Sequence, residues 1–172
     1  MSRRVGLMVA GLGTALAGAA TAVLVSGVGL AATSPRSAAS GTEHFSLMTT
    51  QPSASKYVVI ASGLFTAGGV DIAGSTADLV KLTGGTFKVH HGGAVKIIKE
   101  QINPQSCLAM FEATSPVTFG NGTGAYKGIS GKGTALITDY AILAKNSHGA
   151  CNPNANPRFN QQTIKATAKI KL

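Results

Sequence analysis

Three groups of residues in this chain have types and spacing that suggest chemistry: a histidine pair, a few carboxylates and a glycine-rich loop. His90 and His91 are adjacent. Imidazoles are common metal ligands. Neighbours on an extended strand point to opposite faces, however, so the two rings reach one ion only if the backbone bends between them. His44 and His148 are far away in the sequence. The expectation is a pair at a strand end with one ring exposed, and no metal.

Glu100, Glu112 and Asp139 are the carboxylates that fall within expected strands. One of them turned into an apolar interior would have a raised pKa and would serve as an acid. The commoner place for such a residue is a wet face opposite a lysine, and that is the expectation. Nucleophilic hydrolysis of the triad kind needs a G-x-S-x-G elbow, and the sequence has none. Catalytic residues therefore stay unassigned.

Residues 119–134 read F-G-N-G-T-G-A-Y-K-G-I-S-G-K-G-T and hold six of the 22 glycines. A dinucleotide loop needs G-x-G-x-x-G between a strand and a helix. Gly122-Thr123-Gly124 begins one, but Lys127 stands at the third glycine position. A Walker loop needs Ser or Thr after Gly-Lys, and Lys132 is followed by Gly133. Thr134 onward has a strand pattern, which leaves no helix N-terminus for a phosphate. No nucleotide and no other cofactor is expected. Gly122, Gly124, Gly128, Gly131 and Gly133 read instead as structural glycines: a turn at 120–122, a short strand segment at 125–127, then bends or bulges. Asn121-Gly122-Thr123 also satisfies a glycosylation sequon, relevant only in a glycosylating host.

The elements around these residues read as strands. Residues 57–66 are β-branched and aromatic, with Gly68-Gly69 as their terminator. Further strands are expected over 43–50 with Phe45 and Leu47 on one face, over 85–91 with Phe87 and Val89 opposite Lys88 and His90, and over 107–114 and 134–144. At the C-terminus Ile164, Ala166, Ala168, Ile170 and Leu172 alternate with Lys165, Thr167, Lys169 and Lys171. That period of two marks one buried and one wet face, the habit of antiparallel sheets. Residues 94–102 are ambiguous: Val95, Ile98 and Ile102 have helical spacing, but the segment also reads as a strand. Residues 76–82 could form one helical turn. About nine short strands in one domain leave exposed edges unless the sheet closes into a barrel.

The run G-T-G-A-Y-K-G-I-S-G-K-G-T resembles the glycine motif of allene oxide cyclase-like and dirigent-like barrels. Together with Gly84-Gly85-Thr86-Phe87, His90-His91 and Asn103-Pro104…Cys107 it is similar to a group of small secreted bacterial proteins with that barrel. The resemblance covers most of residues 55–172. It implies an eight-stranded antiparallel barrel of calycin type with a central cavity. Only the glycines and Tyr126 carry over, and their role is structural.

The first residues look like an export signal. Ser2-Arg3-Arg4 precedes an uncharged stretch at 5–30, then small residues to Ala32. That order gives a signal peptide over 1–32, a linker over 33–42 and a barrel domain over 43–172. The alternative is an uncleaved anchor, since about 26 apolar residues are enough to span a bilayer. A membrane partner is expected only in that case. Two cysteines in an exported chain, each beside an Asn-Pro breaker, predict a Cys107–Cys151 disulfide. The 15 Lys and Arg against 6 Asp and Glu give a net charge of +9. That favours anionic surfaces in general, but the lysines form no run, and no specific nucleic acid partner is expected.

The reading is an exported all-β protein, a single closed barrel of about eight strands. It is taken as noncatalytic, binding an apolar or amphipathic small molecule or a cell-envelope partner. The alternatives are an isomerase or cyclase acting in the cavity and a basic binder of anionic envelope polymer.

Overall fold

The computed structural model describes residues 39–50 and 55–172. The expected signal peptide, and its alternative as an anchor over 5–30, lie outside the described residues. Eleven strands follow one another: β1 (Ser40–Thr49), β2 (Lys56–Gly63), β3 (Ala67–Ile72), β4 (Ala77–Leu82), β5 (Gly85–His91), β6 (Lys96–Ile102), β7 (Leu108–Gly120), β8 (Ser130–Ile142), β9 (Ala144–Lys145), β10 (Cys151–Asn152) and β11 (Phe159–Lys171). Antiparallel pairing runs β5-β4-β3-β2-β1-β11-β8-β7, and β5 pairs again with β7. That last pairing closes an eight-stranded barrel and removes its edges.

β7 has two neighbours along one edge. Its second half, residues 117–120, pairs with β5, and its first half, residues 109–114, pairs with β6. The first half of β7 and the whole of β6 therefore project past the barrel, with the end of β8 and the start of β11 beside them. The ambiguous segment 94–102 is the strand β6, exposed along its whole length. Its helical spacing is not realised, and a register shift falls between Ile97 and Lys99.

The C-terminal alternation holds. Ala166, Ala168 and Ile170 are buried while Lys165, Thr167, Lys169 and Lys171 are exposed. Other boundaries move. β1 begins at Ser40, inside the expected linker, because Ser40, Gly41 and Thr42 pair with Lys171, Ile170 and Lys169 of β11. Gly68-Gly69 does not end a strand but lies within β3. Residues 77–82 are β4 and not a helical turn, since their backbone is paired on both sides. Residues 124–126 form a 3₁₀ turn in place of a strand segment. Gly131 and Gly133 lie inside β8 without a bulge, and the β8–β11 ladder is unbroken. They still permit the bend: a Cβ at Gly133 would sit 2.4 Å from the Thr167 carbonyl oxygen, so the two strands curl together more tightly than a side chain allows.

The glycine loop ends in a plug. Gly124 has φ 59 and approaches so closely that a Cβ would lie 2.2 Å from the Gly84 carbonyl oxygen. Only glycine takes this position without strain. The turn it makes sends Tyr126 into the barrel, where its hydroxyl donates to the Thr83 carbonyl oxygen at 2.9 Å. Phe45, Phe65, Phe87, Phe119 and Tyr126 then fill that end, with ring centroids 5.0–6.2 Å apart. Edge-to-face and offset contacts of this kind add to the burial energy of the rings.

Beyond the other end, Cys107 and Cys151 form the expected disulfide. It ties the start of β7 to the small β9–β10 hairpin across 44 residues. The bridge is consistent with an oxidising compartment.

Candidate functional site

The aromatic plug fills one end of the barrel, and the other end is hollow. A cavity of about 280 Å³ opens there. Phe45 and Phe119 form its floor, and Val59, Val80, Val117, Ala135 and Ile164 contribute to its walls. These side chains share one face because strand pairing keeps parity. Phe45 lies opposite Ala166, Val80 opposite Phe87, and Ala135 opposite both Ser115 and Ala166.

The rim is polar, and Asp71 and Asp78 are the carboxyls among the side chains that line the cavity. Tyr57 and Asp71 are direct cross-strand partners on β2 and β3, both turned inward. Asp71 is only 2% exposed, and its Oδ1 has no hydrogen-bond partner among the described residues. Burial pushes its carboxyl up to about 7; the charge of Asp78 adds to this, and His91 and a backbone hydrogen bond at Ile72 oppose it. His91 Nε2 lies 2.9 Å from Asp78 Oδ1, which also accepts from the Gly74 N–H at 2.9 Å. The Tyr57 hydroxyl donates to Gln162 Oε1 at 2.6 Å. Burial raises the Tyr57 phenol, and the charges of Asp71, Asp78 and Asp139 raise it further. Gln162 pairs across the sheet with Asp139, whose Oδ2 accepts from Asn160 Nδ2 at 3.3 Å. Burial raises the Asp139 carboxyl, against a hydrogen bond from Gln162.

The carboxylates thus divide sharply. Glu43, Asp71, Asp78 and Asp139 are buried or half-buried on the inner side, while every described Lys and Arg is exposed. The barrel carries its lysines outside and Asp71, Asp78 and Asp139 on the inner side of its hollow end, with Glu43 at the plug.

No family model, no curated protein and no solved structure matches this chain. What the site does must therefore be read from its own geometry. Of the three carboxylates singled out in the sequence, Asp139 turns inward and has a raised pKa, Glu112 faces outward opposite Lys99, and Glu100 is exposed on β6. Of the two adjacent histidines, His90 is exposed and His91 lines the cavity. They do not converge, and among the described residues no three His, Cys, Asp or Glu side chains are grouped to hold a metal. The glycines 122, 124, 128, 131 and 133 lie at the plug and along β8, away from the rim. Cys107 and Cys151 are tied to each other and take no part in the site.

Asp71, Asp78 and Tyr57 were missed. Around Asp71 the sequence reads Val70-Asp71-Ile72, which by alternation puts the acid in water. The structure inverts this: Val70 is exposed and Asp71 buried. The available signal was Tyr57, in step with buried Val59 and Ala61 along β2; the β2–β3 pairing that carries this parity to Asp71 is not written in either segment.

Proposed function

We propose that this chain is an exported, noncatalytic barrel that holds one small amphipathic molecule. The observation that carries this reading is the hollow itself: a closed apolar wall with a plugged floor and a few polar groups converging at the rim. Binding sites for small molecules have this composition. Export is supported by the leader pattern and by the disulfide. Membership among the allene oxide cyclase-like and dirigent-like barrels is part of the same proposal, supported by the glycine motif and by the closed eight-stranded barrel.

The test is a panel of small neutral and charged aromatic and aliphatic compounds, read by thermal shift and calorimetry. Saturable binding to the wild-type protein is expected, with loss in an Ile137→Phe variant that fills the cavity. A panel without any binder would overturn the reading.

One observation favours a second reading, an isomerase or cyclase acting in the cavity. Asp71 is a carboxyl raised to about 7 that lines an apolar cavity beside Tyr57, so it can hold or release a proton near neutral pH. That reading requires a bound compound to be recovered chemically changed from wild type and unchanged from Asp71→Asn.

A further inference from the structure

We propose that the molecule held in the barrel is a small amphipathic amine, with its ammonium against Asp71 at the rim and its hydrocarbon body on the Phe45–Phe119 floor. This rests on the binding reading above and adds the charge and the size of the ligand.

The charge follows from what the rim leaves free. The Tyr57 hydroxyl is committed to Gln162, the Ser115 hydroxyl points to the Pro116 carbonyl oxygen at 3.4 Å, and His91 Nε2 faces Asp78. The free capacity is acceptor capacity, chiefly Asp71 Oδ1, buried and without a partner among the described residues. A buried carboxylate oxygen left unpaired is costly, and an N–H donor carrying positive charge is its best complement. No Lys or Arg lines the cavity. A carboxylate, sulfate or phosphate head would meet Asp71 and Asp78 without a Lys or Arg to balance it.

The size follows from the volume. A cavity of about 150 Å³ holds benzene, or roughly 25 Å³ for each non-hydrogen atom. By that scale 280 Å³ admits about eleven such atoms. One ring with a two- or three-carbon aminoalkyl arm fits, and so does a straight amine of comparable length. A long fatty chain does not.

The pH dependence is a second signature. Below about 7 Asp71 holds a proton, so an ammonium must displace it. Amine affinity rises as pH approaches 7 from below, and Asp78, His91 and Tyr57 are the other titratable groups facing the site. A neutral ligand of the same shape lacks this rise.

The experiment uses three ligands that share one body: 2-phenylethylamine, 2-phenylethanol and 3-phenylpropionate. Calorimetric titration of the purified protein at pH 7.5 is expected to show the amine bound at least about tenfold tighter than the alcohol, as a charged hydrogen bond to one carboxylate would give. The carboxylate is expected to be the weakest. Asp71→Asn should bring amine and alcohol together while the alcohol keeps its affinity. If the alcohol binds and the amine is no better, or the carboxylate is best, the amine inference falls and the binding reading stands. Should none of the three bind, the amine inference falls; if no member of the wider panel binds either, both fall. If Asp71→Asn does not fold, the order of the three ligands on wild type and the rise of amine affinity from pH 5.5 to 7.5 decide the matter.

Discussion

The two ends of the barrel each bury a carboxylate, and they treat it differently. At the plugged end Glu43 is fully buried, yet its Oε2 accepts the Phe65 N–H at 3.0 Å, and Leu64 contributes a second backbone hydrogen bond. The acid holds the β2–β3 turn, and aromatic rings pack the space around it. At the hollow end Asp71 is almost as deeply buried, but it lines the cavity, where Glu43 is held by a turn. Burial raises both acids above the ordinary range. Only Asp71 faces a cavity. Each acid has a backbone donor and one buried oxygen without a partner among the described residues; what differs is that Asp71 lines a hollow, and there the demand is one that a ligand can meet.

The comparison breaks first on packing. Phe87 has no exposed surface and touches the rings of Phe45, Phe119 and Tyr126. Phe87→Ala is expected to cost about 3–5 kcal/mol, the range for a large core truncation that cannot collapse. Ile164→Val at the cavity wall should cost no more than about 1.5 kcal/mol, because the removed methyl borders space already empty. Urea unfolding of both variants checks this; equal losses would mean that the two ends are packed alike.

The hollow end has a covalent brace that the plugged end lacks. The Cys107–Cys151 bridge closes 44 residues next to the projecting start of β7. Replacing both cysteines by serine should cost about 4 kcal/mol on the chain-entropy account. Hydrogen exchange should then rise in β6 and the first half of β7 before it rises around Tyr126. Uniform loss of protection would show that the bridge supports the whole barrel and not one end.

Asp71 supplies the next contrast, on the order of 4 kcal/mol. Its ordinary value is 3.8, and in the fold it titrates near 7. Below about pH 4 the folded and unfolded chains both hold the proton, and stability is full. As pH rises toward 7 the unfolded chain releases a proton that the fold keeps, so stability falls; above 7 the loss is complete. Urea midpoints from pH 4 to 8 should drop in wild type and drop less in Asp71→Asn. Glu43→Gln should change the slope less, since backbone donors already favour the charged Glu43. A steeper correction from Glu43→Gln would reverse the roles given to the two acids.

Much of the architecture could be read from local pattern. Ile164 to Leu172 alternate so cleanly that a half-buried antiparallel strand followed, and the glycine run with a strand after it excluded a phosphate loop. The disulfide followed from two cysteines beside Asn-Pro breakers. The cavity was not legible, because a hollow is a property of closure and depends on which residues from eight separate strands come to one height. Nor was the face of β3: Val58, Ile60 and Val70 are apolar and exposed, so hydrophobicity on β2 and β3 does not say which side is in. Residues 94–102 misled for a related reason. β6 has no buried face at all, so no burial selects between helical and strand spacing, and pairing with β7 decides.

The smallest effect on stability should accompany the largest effect on binding. Ile137 is half-buried, lines the cavity and lies opposite Ala113 and Ile164. A phenylalanine there enters space that holds no side chain, so the overpacking cost of a filled core, roughly 1–3 kcal/mol, should not arise. Ile137→Phe is expected to change stability by less than about 1 kcal/mol, since the added apolar surface is buried without displacing a neighbour. It should nevertheless abolish binding of every small ligand. The same enlargement at the plugged end, Ala61→Phe among fully buried neighbours, should prevent folding or cost several kcal/mol. If Ile137→Phe proves as damaging as Ala61→Phe, the hollow is not available space, and the distinction between the two ends is lost.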